Sequence, residues 1–286
     1  MMDKIHELIS RGLSSTTTLI EPLGSSQGPT FKITDGTKRW IAKCLKGPNA
    51  LHRLSSEKKG LDLINSHCKG LCPTSLPIIQ DGAYVMLIMD HINDSSVASD
   101  GVLIADVLCQ LHRVTDETFG LTYDNYIGEL PQYNTPYSDW PTFWYERRMI
   151  PLIEHATRFD LLDFHSLPSR SQFIRSLTEQ QEFPFSPCLV HGDLWQGNML
   201  FEAPNGTPRL IDPAIYFGDP MVDIAMMELF GGFPASCFSE YFERRPNSNE
   251  NCIPIYKLYY LLVHLCMFGS SYLRDCKQIL SFIKRF

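Results

Sequence analysis

The stretch Leu189-Val-His191-Gly192-Asp193-Leu194-Trp195-Gln-Gly197-Asn198-Met-Leu200, followed by Ile211-Asp212-Pro213, constrains this chain more than any other. Residues 199–201 and 209–211 are short apolar-rich runs, and Asn205-Gly206 lies between them. Asn-Gly flanked by such runs is a hairpin signal. A turn centred there sets position 198 opposite about position 213, so Asn198 and Asp212 lie side by side at the open end of the hairpin. Asp193 precedes Asn198 by five residues, in the tight turn that His191-Gly192 permits. Two acids and a carboxamide at strand ends can also do no more than cap turns. That blander reading leaves the spacing of the three groups unexplained.

The chemistry of the set is specific. Asn198 and Asp212 are oxygen donors, the ligand type that Mg²⁺ prefers. Phosphoryl transfer from a magnesium nucleotide needs such a pair, with one further acid to orient the attacking alcohol. Asp193 is the candidate for that acid. The spacing resembles H-x-D-x-x-x-x-N of protein-kinase loops, in which a metal-binding Asp follows on the next strand. The expectation is that Asp193, Asn198 and Asp212 converge on one divalent cation between two lobes.

At 286 residues the chain is long enough for two lobes with substantial cores. The net charge of −7, with both signs interspersed, argues against nucleic acid as a partner and suits a cationic or neutral substrate. Nine cysteines without C-x-x-C pairs read as reduced thiols in a cytoplasmic protein. His67-Cys68 and Cys72 have no second ligand pair at zinc-finger spacing. Residues 1–11 read as a short amphipathic helix with internal charges and not as a signal peptide. The longest apolar run, 258–268, is interrupted by His264 and is too short to span a bilayer. No membrane association and no obligate protein partner are expected.

Residues 1–92 read as a strand-rich nucleotide-binding lobe. Strands are expected over 17–23, 30–34 and 40–45, with Gly24-Ser25-Ser26-Gln27-Gly28 as a turn. Such a turn either lays backbone N–H groups over phosphates or simply closes a hairpin. Lys43 sits inside an apolar strand. A helix over 49–67 carries Leu54, Glu57, Leu61 and Ile64 at the spacing of one face. An acid on an apolar stripe needs a partner, and Lys43 is the nearest inward cation. The pair would hold Lys43 against nucleotide phosphates. The alternative is a snorkelling Glu57 and a Lys43 on a solvated strand face. A further strand over 84–92 ends the lobe. There Asp90 C=O and Ile92 N–H would bind adenine, with Met89 behind it.

Residues 93–286 read as a larger, mainly helical lobe for the catalytic loop and substrate. Helices are expected over 102–112, 142–157, 170–179 and 255–285, the last broken near Gly269-Ser270. Another begins after Asp219, a candidate N-cap, with Pro220 in its first turn. Asp223, among apolar residues, reads as a structural acid that accepts N–H bonds from the His191–Asn198 loop.

His191-Gly192-Asp193-Leu194-Trp195-Gln196-Gly197-Asn198, Asp212-Pro213-Ala214, Phe217-Gly218 and Phe230-Gly231-Gly232-Phe233 together resemble the fructosamine kinase, or ketosamine-3-kinase, family. Leu111-His112-Arg113, Phe119-Gly120, Asn125-Tyr-Ile-Gly128, Pro131-Gln132-Tyr-Asn134 and Trp140-Pro-Thr-Phe-Trp144 extend the resemblance over nearly the whole chain. It implies an α+β, protein-kinase-like fold of the aminoglycoside-phosphotransferase branch: a small antiparallel sheet with one main helix, and a helical second lobe. It implies ATP-dependent phosphorylation, with Mg²⁺, of the sugar 3-hydroxyl of free or protein-bound ketosamines, and hence deglycation. Trp195 would line the sugar pocket or else fill core. His191 would brace the loop. The 24–30 turn lacks the cysteine found there in some relatives, so no redox switch is carried over. The rival readings are an aminoglycoside- or choline-type kinase, a catalytically silent nucleotide-binding module, and a hydrolase using His191 and Asp193, for which no nucleophile elbow is present.

Overall fold

Alternation along one strand decides what the first unit can do. A computed structural model describes residues 2–13, 19–24, 28–94, 100–163, 167–180, 185–245 and 248–286. The chain forms two units, Met1–Ala98 with Asn198–Pro213, and Ser99–Gly197 with Ala214–Phe286. In the first, helix α1 (Met2–Leu13) precedes strands β1 (Leu19–Leu23), β2 (Thr30–Thr34) and β3 (Arg39–Lys46). Helix α2 (Ala50–His67), β4 (Ile79–Asp81) and β5 (Tyr84–Asp90) follow. The strands form one antiparallel sheet in the order β1-β2-β3-β5-β4. Successive side chains on β3 point to opposite faces. Trp40, Ala42 and Cys44 join Ile5, Leu8 and Ile9 of α1 in one apolar cluster with Ile33, Met86 and Ile88. Lys43, one residue out of phase, is sent to the other face, where α2 packs against β3 and β5.

A hairpin of strands Met199–Glu202 and Thr207–Leu210 closes this unit. Their register pairs Met199 with Leu210 and Glu202 with Thr207. This corrects the expected alignment. The loop closes at Glu202 and Thr207, so Asn198 faces Ile211 and not position 213; the Ile211 N–H donates to the Asn198 carbonyl at 3.0 Å. Asp212 follows with φ 55°, a left-handed conformation uncommon outside glycine. Leu210 N–H bonds to the Leu71 carbonyl at 2.9 Å, which ties the hairpin to the end of α2.

The second unit is built on helices. It contains α3 (Gly101–Leu111), a hairpin of β6 (Asn125–Ile127) and β7 (Leu130–Gln132), and α4 (Trp140–Phe143). A π-helical turn (Trp144–Met149), α5 (Ile150–Arg158) and α6 (Arg170–Thr178) come next. Strand β8 (Cys188–Val190) pairs with β11 (Tyr216–Gly218), the hairpin above supplying β9 and β10. Helices α7 (Met221–Phe230), α8 (Ala235–Arg244), α9 (Ile253–Phe268) and α10 (Leu273–Ile283) complete it. The stretch Glu250–Phe268 is long and apolar enough to cross a bilayer by length and composition. Its helix α9 instead packs against α7, α5 and α10, with most of its residues buried.

The helix expected over 142–157 is three elements. Pro151 has no N–H to return to the Arg147 carbonyl four residues earlier. That carbonyl accepts instead from Arg148 Nη1 at 3.1 Å. Arg148 is 0% exposed. Its other bonds go to the Tyr133 carbonyl (2.6 Å) and Asn134 Oδ1 (2.7 Å), and its guanidinium lies 3.9 Å from the Tyr216 ring centroid. A charge this deep needs its donors met, and Nη1 and Nη2 are, while Nε is buried with no partner among the described residues. Arg148→Met removes the donors and leaves all three acceptors unmet. It is expected to lower stability by about 2–4 kcal/mol, measured by urea unfolding. A loss under about 0.5 kcal/mol would show that this cation does not hold the β6–β7 hairpin in place.

Candidate active site

Alternation brings Lys43 to the α2 face, and the 3-4-3 stripe brings Glu57 to meet it. Lys43 Nζ lies 2.7 Å from Glu57 Oε1 and also bonds Asp212 Oδ1. Lys43 is only 9% exposed, so the solvated-strand alternative is excluded. Burial works against its charge, but the Asp212 and Glu57 carboxylates outweigh it and push its pKa up. Burial first, then the nearby Asp212 charge, pushes the Glu57 pKa up despite Lys43. Two carboxylates share one ammonium, with the Arg53 charge a weaker, secondary influence on Glu57. A second cation with oxygen preference fits such a donor set. Asn198, with its side chain buried, immediately precedes β9 at the end of the hairpin where Asp212 lies.

The remaining nucleotide-site candidates fall on the same unit. Gly24 and Gly28 flank the turn after β1; Ser25, Ser26 and Gln27 lie outside the described residues. Gly28 has φ 128°, and a Cβ there would meet Leu45 Cδ2 at 2.5 Å. Met89 and Ile92 are both buried. The Asp90 N–H donates to the Thr74 carbonyl at 2.9 Å, and its carboxylate pairs with Lys38 at 2.8 Å.

In the second unit a single acid organises the loop that carries Asp193. Asp223, 0% exposed, accepts the His191 N–H at 2.7 Å and the Gly192 N–H at 2.8 Å. Charge-assisted bonds of this kind are the strong ones. His112 Nε2 reaches the same carboxylate at 3.1 Å, and its Nδ1 meets the Tyr241 hydroxyl at 2.8 Å. Sequence reasoning had placed His112 only within a motif; its burial at the end of an apolar helix was the available signal. Gly192 (φ 80°) is required, since a Cβ would lie 2.2 Å from the Ala214 carbonyl oxygen. Ala214 N–H in turn bonds the His191 carbonyl at 2.9 Å. His191 is fully buried, and its Nδ1 accepts the Asp193 N–H at 3.3 Å. Asp193 itself is partly exposed.

Trp195 is 44% exposed, so it does not fill core. Its indole lies over Gly197, where a Cβ would meet ring atoms at 2.2 Å. Asp219 is the true capping group of α7, accepting the Met221 N–H at 2.9 Å, although the N-cap position is Pro220. Its second oxygen accepts from Tyr256 OH at 2.6 Å, and Trp140 Nε1 donates to that hydroxyl at 2.9 Å.

Two further polar residues support the chain that leaves Asp212. Asn125 Nδ2 donates to the Ile215 carbonyl at 2.8 Å, and Gln132 Nε2 donates to the Ala214 carbonyl at 2.9 Å. Neither was singled out from the sequence beyond its motif, because β6 and β7 are too short to show a period.

Folding pH dependence follows from Glu57. A carboxyl whose folded pKa is raised binds more protons in the native than in the unfolded chain. Stability therefore falls as pH rises from its ordinary 4.5 through the folded value. Glu57→Gln is expected to flatten urea-unfolding stability across that window relative to the native chain. Parallel pH profiles would contradict the assignment.

The sequence model described as fructosamine kinase matches residues 1–285. A protein of Enterococcus faecium named "probable ketoamine kinase" is 37% identical over 269 residues, covering 92% of this chain and 94% of the other. The chloroplastic protein-ribulosamine 3-kinase of Arabidopsis thaliana is 31% identical, covering 78% and 67%. A crystal structure from Thermobifida fusca, provisionally named a fructosamine-3-kinase, superposes with a TM-score of 0.85 at 25% identity, covering 99% of each chain. Aminoglycoside phosphotransferase APH(4)-Ia shares the protein-kinase-like α+β fold, with a TM-score of 0.64 at 16% identity over 99% and 98% of the chains. With its full length matched and its relatives this similar, the chain belongs to the fructosamine kinase family.

Proposed function

We propose that this protein transfers the γ-phosphoryl group of ATP to the 3-hydroxyl of a ketosamine sugar, free or on a protein. As a member of the fructosamine kinase family it is a phosphotransferase that acts on an alcohol group of a sugar amine. The observation that carries the finer reading is the buried Lys43–Glu57–Asp212 cluster, a cation receptor with its own ammonium. The 3-position is supported by the ribulosamine 3-kinase relative.

Asn198 and Asp212 would hold Mg²⁺, which when bound supplies charge neutralisation on the β- and γ-phosphates. Lys43, fixed by Glu57, balances phosphate charge. Gly24 and Gly28 bound the phosphate end of the nucleotide, and the chain at Met89, Asp90 and Ile92 receives adenine. Asp193 orients the attacking hydroxyl and takes up its proton. His191 and Asp223 brace the loop that presents Asp193. The exposed indole of Trp195 offers its face to the sugar ring and to the protonated amine.

Phosphate at carbon 3 is a better leaving group than the hydroxyl it replaces. Its elimination after enolisation toward carbon 1 leaves an imine that water hydrolyses, freeing the amine. Deglycation is thus the proposed outcome. The nine free cysteines, eight of them buried, suit the reducing cytoplasm as the site of action.

The test is incubation with Mg-ATP and a panel of fructosamine, ribulosamine and erythrulosamine compounds, with an aminoglycoside and choline for contrast. The expected product carries phosphate on carbon 3 by NMR. Phosphorylation of only the aminoglycoside or choline, or of another carbon, would reject the reading. Asp193→Asn is expected to lower turnover at least about 10³-fold while ATP binding by calorimetry is kept. Turnover within tenfold of native would remove Asp193 from the orienting role.

A further inference from the structure

The second unit holds a cavity of ≈ 470 Å³ that no step above uses. Arg113, Arg244 and Arg245 line it, with Ser186 and Asn249 as neutral polar groups and Phe185 among the apolar ones. For a chain of net charge −7 this is a local concentration of positive charge. Arg244 is compensated, since it pairs with Glu240 at 3.0 Å and Asp106 at 3.7 Å. Its Nη1 is buried away from the cavity space, so Arg244 contributes charge to the wall and no donor to a ligand. Arg245 donates to the His112 carbonyl at 3.1 Å and approaches Cys188 Sγ at 3.8 Å. Among the described residues neither Arg245 nor the exposed Arg113 has a carboxylate partner. The one acid on the wall, Asp219, already accepts from Met221 N–H and Tyr256 OH.

Guanidinium groups match phosphate geometry with paired N–H donors. The cavity volume lies within the range of small-molecule sites and exceeds what a lone phosphate ion fills. We propose that this cavity binds a small phosphate monoester. Arg113 and Arg245 hold the phosphoryl oxygens, Arg244 adds its charge to the wall, and the organic body lies toward Phe185.

The cavity wall also reaches the loop. His112 lines it, and its Nε2 bonds Asp223, the acid that holds the His191 and Gly192 N–H groups. A ligand that fixes Arg245, and through it the His112 carbonyl, therefore tightens the Asp223 anchor. Slower hydrogen exchange at the His191 and Gly192 amides is the consequence. This site goes beyond the kinase reading, and its readouts need no phosphoryl transfer.

The experiment titrates ribose 5-phosphate, and separately inorganic phosphate, into the native protein by calorimetry. Arg113→Met, Arg245→Lys and Lys43→Met are run in parallel. Arg113 is exposed, so its replacement leaves the fold intact, which circular dichroism verifies. One sugar phosphate per chain is expected, bound more tightly than inorganic phosphate. Affinity should fall at least tenfold in Arg113→Met, fall in Arg245→Lys, and persist in Lys43→Met. Exchange at His191 and Gly192 should slow on saturation in the native protein. No binding at millimolar ligand, equal binding in Arg113→Met, or loss of binding in Lys43→Met would overturn the site. Unchanged exchange at both amides would overturn the link to the loop.

Discussion

Two carboxylates meet one ammonium at a buried point, and the first unit is arranged around that meeting. Lys43 comes from the middle of a five-stranded sheet, Glu57 from the helix beneath it, and Asp212 from the end of a hairpin. Desolvating three charges is expensive, and such a cluster does not exist for stability alone. Asp212 adds to the cost. Its left-handed backbone is worth about 1–3 kcal/mol of local strain for a residue with a side chain. Strain and two carboxylates sharing one ammonium at one place are the marks of a site held ready for a ligand. The receptor for a magnesium nucleotide is the reading that uses both.

The second unit solves a different problem, which is to fix a loop that has little regular structure. It does so with buried polar groups and not with apolar packing. Asp223 takes two backbone N–H groups, and His112 and Tyr241 stand behind it. Asn125 and Gln132 hold the carbonyls of Ile215 and Ala214. Each bond contributes a modest net energy of about 1 kcal/mol, but an unmet partner in the interior costs more. The network therefore specifies one conformation of the loop. Trp140, Trp144 and Tyr256 pack on one another as a buried aromatic layer, tied to Asp219 through the Tyr256 hydroxyl.

Much of this was legible in the residues. The strand Thr30–Thr34 and the helix ending at His67 were readable because their periods of 2 and 3.6 run long enough to show. The same period put Glu57 on an inward face. The break at Gly269 was visible because glycine punctuates an otherwise apolar run. What escaped was decided by tertiary contacts. The hairpin register depends on where the loop closes, and Asn-Gly alone did not fix it. The pairs β6–β7 and β8–β11 have strands of three residues, below any periodicity. Helix α8 carries no strong sequence boundary. Arg148 reads as a surface residue by composition, yet aromatic rings and three carbonyl-type acceptors bury it. Trp195 had two readings from sequence, and only its exposure separates them.

The account stands or falls on whether the pair of carboxylates beside Lys43 is a metal-nucleotide receptor. Calorimetric titration of ATP with and without Mg²⁺, into the native protein and into Asp212→Asn, measures this directly. The account predicts that Mg²⁺ tightens ATP binding at least about tenfold in the native protein, and that Asp212→Asn removes most of that gain. Equal affinity with and without Mg²⁺ in both proteins would contradict it.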